Sequence, residues 1–257
     1  MRPFEPEALD HRDPELIAKV LPVLETVNHY YFHSSYEGLE HIDGGPAVFV
    51  STEGDIAKGA AVCCVLGALW RVLTPESPLY LLVPDRATRK FERLGRLAQR
   101  FGAVVATRSN ALCVLEGGGQ VLVSPAGALD GPLRGRQRNE ISSVARCAFV
   151  EVARRAKVPI VPIVATGARR GGRIFQDARG VAEKPARWMG VERSSSPSPR
   201  APRWTVSRRR LHPYLLLSTC VRVRVLPPVT VPRAEPAPHV AARIRTRMQT
   251  ALGEMLA

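Results

Sequence analysis

Two acids stand close together just beyond a short β-branched run: Pro46 to Ser51 (PAVFVS) is followed by Thr52, Glu53, Gly54 and Asp55. A carboxylate at a strand–helix junction can take a proton from a hydroxyl, which is general-base chemistry. The same residues can instead cap the helix. Ser51, Thr52 or Asp55 would satisfy free backbone amides there, and acids suit the positive end of the helix dipole. Arg108, Arg134 and Arg136 offer a second kind of chemistry. A guanidinium presents a planar fork of donors that matches a phosphate, although each of the three also reads as a plain surface arginine. Gly127, just past a later apolar run, lets the backbone approach a ligand closely or simply makes a turn. His29 and His33 are four residues apart, on one face of a helix, but no third metal ligand accompanies them. No His lies between His41 and His212. His212 follows Arg208-Arg209-Arg210 and precedes Pro213. Cys63 and Cys64 sit in an apolar run and read as small core residues. Lys58 reads as a side chain whose stem lies along apolar surface. No Cys/His spacing fits zinc, so neither a metal nor a bound cofactor is expected.

The apolar pattern supplies the frame. Short runs at 46–51, 79–83, 103–106, 120–124 and 158–165 read as strands. Helix-length segments alternate with them: Ile56 to Leu73, Arg89 to Phe101 ending at Gly102, Ser109 to Glu116 ending in three glycines, and Ser142 to Lys157. This rhythm predicts an α/β fold with a mostly parallel sheet flanked by helices. Residues 14–32 carry apolar positions at helical spacing, with a kink or boundary expected at Pro22. Val221 to Val225 (VRVRV) alternates strictly and reads as an edge strand with one wet face. Ala237 to Leu256 reads as a closing amphipathic helix. The chain thus divides into a helical segment over 1–35 and an α/β domain over 36–257. A basic, partly disordered insertion is expected near 168–210, where Ser194 to Pro199 is low in complexity.

With 45% apolar and 23% charged residues, the 257-residue chain has a globular composition. Its 37 Lys+Arg against 23 Asp+Glu give a net charge of +14. The excess is local: residues 1–44 hold nine acids against three bases, and residues 167–224 hold fourteen bases against three acids. A block of that kind seeks polyanions. No zinc finger, RNA-binding signature or basic zipper is present, and aromatics are 6% of the chain, so no nucleic-acid partner is expected. An anionic membrane surface is the expected partner, with Trp188 and Trp204 in the same stretch. The longest clean apolar run, Ala60 to Trp70, is well short of the roughly 20 residues that a spanning helix needs. The start of the chain has no secretion-leader pattern, and five scattered cysteines do not form a disulfide framework. The expected location is cytoplasmic, peripheral to the inner face of the membrane.

The order of these pieces resembles the glycerolipid acyltransferase family, of the lysophosphatidic acid acyltransferase type, over about residues 30–257. Glu37-Gly38-Leu39-Glu40-His41-Ile42 followed by Gly45 to Ser51 resembles the lead into its first motif. Arg100-Phe101-Gly102-Ala103 with Arg108-Ser109-Asn110-Ala111 resembles the second, Gly119 to Gly127 (GQVLVSPAG) the third, and Val158 to Ile163 (VPIVPI) the fourth. Val221 to Val231 is similar to the late strand and its Pro-containing exit. The resemblance implies acyl transfer from a thioester, on coenzyme A or acyl carrier protein, to a lysophospholipid or similar hydroxyl acceptor. It also implies that Arg108 binds the acceptor's phosphate; Gly127, Arg134 and Arg136 are candidate substrate contacts from their place just past the fourth strand, at the carboxyl end where open α/β sheets bind ligands.

The sequence departs from the family at the chemistry. The family places a His, four residues, then an Asp after its first strand; here those positions are Thr52 and Ala57, and the nearby acids are Glu53 and Asp55. Ala126 replaces a further motif position. A threonine hydroxyl cannot accept a proton near neutral pH. The expectation is an acyltransferase-like protein whose transfer is weak or lost. The alternatives are a catalytically silent lipid- or carrier-binding protein and, in a different class, a basic nucleic-acid-binding protein.

Overall fold

A computed structural model describes residues 9–52, 60–83, 92–123, 147–167 and 220–256. The elements follow the chain as α1 (Pro14–Thr26), a π-helical turn (Val27–Tyr31), β1 (Ser35–Glu37), β2 (Val48–Ser51), α2 (Ala60–Trp70), β3 (Leu79–Val83), α3 (Glu92–Arg100), β4 (Ala103–Val105), α4 (Arg108–Glu116), β5 (Gln120–Val123), α5 (Ala148–Ala156), β6 (Ile160–Thr166), β7 (Arg222–Val225) and α6 (Ala237–Leu256). The seven strands form one sheet in the order β1-β7-β6-β2-β5-β3-β4. Five neighbours from β6 to β4 are parallel. β7 runs antiparallel to β6, and β1 lies parallel to β7 at the edge.

Apolar residues on both faces make β2, β5 and β6 central strands, as buried parallel strands require. Period-two alternation sends Val48, Val50, Val121 and Val123 to one face, where they pack with Phe149, Ile244 and Met248 of the α4–α6 layer. Phe49, Leu122, Val161 and Ile163 point the other way, onto Ile17, Cys64 and Leu69 of the layer that holds α1 and α2. All five runs expected as strands lie in this one sheet.

Three details differ from the sequence reading. VRVRV is not the edge: β1 covers it, and Arg224 spends its charge on Glu37 of β1 and Glu254 of α6, both at 2.6 Å. Pro22 does not end α1, because its ring is exposed and the lost backbone bond falls on the solvent side. The helix instead widens into the π turn, which swings Asn28 inward. Its amide donates to the Cys63 carbonyl at 3.1 Å and accepts from the Cys64 thiol at 3.5 Å. Gly67 makes room for this: a Cβ there would stand 2.2 Å from the Asn28 amide nitrogen. The π turn also breaks the four-residue register of His29 and His33, and His33 lies beyond it in the left-handed region at φ 41°.

Cys64 is a core residue as expected, and burial pushes its thiol up to about 12. Such a thiol is no nucleophile at neutral pH. Among the described residues, no helix is long and apolar enough to cross a membrane.

Candidate active site

Adjacent parallel strands β2 and β5 send the chain in opposite directions. From β2 it crosses through α2 to β3, toward the β4 side; from β5 it crosses through α5 to β6, toward the β7 side. The carboxyl ends of two such strands form a topological switch point, the place where open α/β sheets bind ligands. Ser51, Thr52 and Val123 stand at that point.

Thr52 follows β2 by one residue and is buried. Its amide donates to the Ile163 carbonyl at 2.9 Å. Its hydroxyl accepts from the Ala165 amide at 2.9 Å and lies 3.3 Å from the Ala165 carbonyl, to which it donates. The side chain therefore continues the β2–β6 ladder one step beyond the strand. Replacing Thr52 with Val keeps the shape and removes both bonds, leaving two backbone groups of Ala165 to find other partners. The expected cost is about 1–3 kcal/mol, read as a lower urea midpoint at unchanged slope. An unchanged midpoint would show that the hydroxyl has no such role.

Arg108 opens α4 at the same edge. Thr107 caps that helix by accepting from the Asn110 amide at 3.1 Å, and the Asn110 side chain donates to the Val105 carbonyl at 2.9 Å. These bonds fix where Arg108 leaves the backbone. Its guanidinium pairs with Glu151, in the first turn of α5, at 3.0 Å. Both side chains are largely exposed, so the pair contributes at most about 1 kcal/mol. A phosphate can exchange for the carboxylate at small cost. The sequence gives no sign that Glu151 is the partner of Arg108, since forty-odd residues and a strand separate them.

Of the residues singled out in the sequence, Thr52 and Arg108 share this edge. Glu53, Asp55, Ala57, Gly127, Arg134 and Arg136 lie outside the described residues, as do Lys58, His212, Trp188, Trp204 and the stretch 168–210.

No protein-family model matches the chain, and no curated protein matches it. Among solved structures it is similar to the 1-acyl-sn-glycerophosphate (LPA) acyltransferase PlsC from Thermotoga maritima, with a TM-score of 0.55 and 14% identity over 96% of this chain and 84% of that one. This chain therefore has the fold of that acyltransferase: a mostly parallel α/β sheet flanked by helices.

Proposed function

We propose that the chain is an acyltransferase-like protein that binds a lysophospholipid or similar phosphate-bearing hydroxyl acceptor, together with an acyl thioester, at the carboxyl edge of the sheet, and that its own transfer chemistry is weak or lost. One observation carries the reading. At the position where the resemblance calls for an imidazole, Thr52 holds a hydroxyl already committed to Ala165. The lack of the paired carboxylate, with Ala57 in its place, supports it. Arg108, at the same edge in an easily exchanged ion pair, supports acceptor binding through phosphate. The basic stretch 167–224 begins directly after β6 and returns at β7, both at this edge, and adds attraction to an anionic bilayer of about 1 kcal/mol per basic residue near its surface.

The test uses purified protein, a labelled acyl thioester on coenzyme A or on acyl carrier protein, and a panel of lysophospholipids presented in neutral and anionic vesicles. The expected result is acceptor binding that is stronger on anionic vesicles at low salt, with little or no product. Arg108→Ala should weaken acceptor binding by about tenfold or more, the value of a charge-assisted hydrogen bond. Equal binding of an acceptor that has no phosphate would remove the role of Arg108. Turnover at an ordinary rate that Glu53→Gln or Asp55→Asn abolishes would replace the reading with a carboxylate-based enzyme.

A further inference from the structure

The layer formed by α5 and α6 is rich in bases. Residues 147–167 and 229–256, which build α5, β6 and α6, hold three acids and seven bases. On the opposite face residues 9–52, which build α1, β1 and β2, hold seven acids and two bases, and α3 beside α1 adds Arg93, Arg96 and Arg100 against Glu92. α1 packs with α2 on one face and α5 with α6 on the other.

All three acids of the α5–α6 layer are engaged, Glu254 with Arg224 at 2.6 Å as described above. Glu151 pairs with Arg108, and Glu235 pairs with Arg243 at 3.1 Å. Arg154 donates to the Glu235 carbonyl, which ties the end of α5 to the start of α6. Arg155, Lys157 and Arg233 stand exposed close to that joint along the chain, and further along α6 Arg243 and Arg247 are exposed one helical turn apart. Val229 bridges to Ile160 at the start of β6, and the Met255 carbonyl accepts from Arg222 opposite the end of β6. α6 thus runs along the strands, from their amino edge to the carboxyl edge that carries the site.

We infer that the solvent side of α6, with the end of α5, is a docking face for an acidic protein. The inference rests on the proposed function in one respect: the acidic partner that function calls for is a carrier that delivers the acyl thioester. A partner helix with acids one turn apart would complement Arg243 and Arg247. A bilayer fits less well. Among the described residues, large exposed apolar side chains such as Val23, Tyr30 and Leu97 lie on the α1–α3 side, and on α6 only Leu256 at its far end is exposed. A membrane against α6 would also lie along the strands and leave the carboxyl edge pointing sideways.

The probe is holo acyl carrier protein, titrated by fluorescence anisotropy at low and moderate salt. The double variant Arg155→Glu/Arg247→Glu should bind it about tenfold more weakly and with a flatter salt dependence, and Arg155→Gln/Arg247→Gln should fall between, because surface charges act through steering and long-range attraction. Circular dichroism and the melting temperature report whether the variants keep the fold. Binding and any transfer from an acyl–coenzyme A donor should be the same in all three proteins, so a failure of the proposed function appears with that donor and a failure of this inference appears only with the carrier. Carrier affinity that is absent, or equal in wild type and the folded reversal variant, overturns the inference. So does tight binding of phosphatidylglycerol vesicles or a DNA duplex through these arginines when the carrier does not bind.

Discussion

The double variant Thr52→His/Ala57→Asp should transfer acyl groups about 100- to 10,000-fold faster than wild type, the usual worth of a positioned general base. The imidazole would take the acceptor's proton and the carboxylate, five positions further on, would orient the ring. Position 52 suits the task because it follows the central strand β2 at the switch point, on the same edge as Arg108. The change also removes the Thr52–Ala165 bonds and puts a larger ring where the threonine is 6% exposed. A lower melting temperature should therefore accompany the gain. Thr52→His alone should gain less, because nothing holds its tautomer. A double variant that stays folded and binds acceptor and thioester yet transfers no faster than wild type would refute the view that the missing imidazole limits the chemistry.

Phe49→Ala should cost about 3–5 kcal/mol, the range for emptying a buried aromatic site. Phe49 is 2% exposed, in the middle of β2, with Leu122 and Val161 as its register partners on either side. Neighbouring strands hold the backbone on both sides, so the site cannot collapse easily around the loss. Against a total stability of typically 5–15 kcal/mol, the variant should melt far lower and express poorly. Phe49→Leu fills most of the space and should cost much less. A denaturant midpoint for Phe49→Ala as mild as that for Thr52→Val would mean that this strand is not the centre of the core.

Much of this fold is legible because its strands are short apolar runs bounded by turns, and such runs need no partner to be recognised. LYLLV and QVLV carry that signal in themselves. Ser35–Glu37 does not: three residues with two polar side chains become a strand only because Arg222 to Arg224, far along the chain, pair with them. That unseen partner is why VRVRV reads as an edge. The π turn is hidden for a similar reason. Helical spacing continues through residues 14–32, and the local change comes from Asn28 reaching the Cys63 carbonyl on α2, a tertiary bond. At the site, the absence of His and Asp is plain in the sequence, as is the position of Arg108. What Thr52 does instead depends on Ala165, 113 residues away, and no local pattern records it.

The outer strand has a consequence for the order in which the molecule is made. The Phe32 carbonyl accepts from the Val221 amide, Ser35 donates to the Val221 carbonyl, and Glu37 meets Arg224 across a separation of 187 residues. During synthesis, residues 32–37 leave the ribosome long before any of these partners exists. At about 5–20 residues per second, the wait is on the order of 10–40 s. Throughout that interval Phe32, which ends 1% exposed, lacks the strand that flanks it in the finished sheet. The five parallel strands can assemble before then, and residues 32–37 are among the last to be locked in place. A chain stopped short of Val221 lacks the backbone partners that draw residues 35–37 into the sheet.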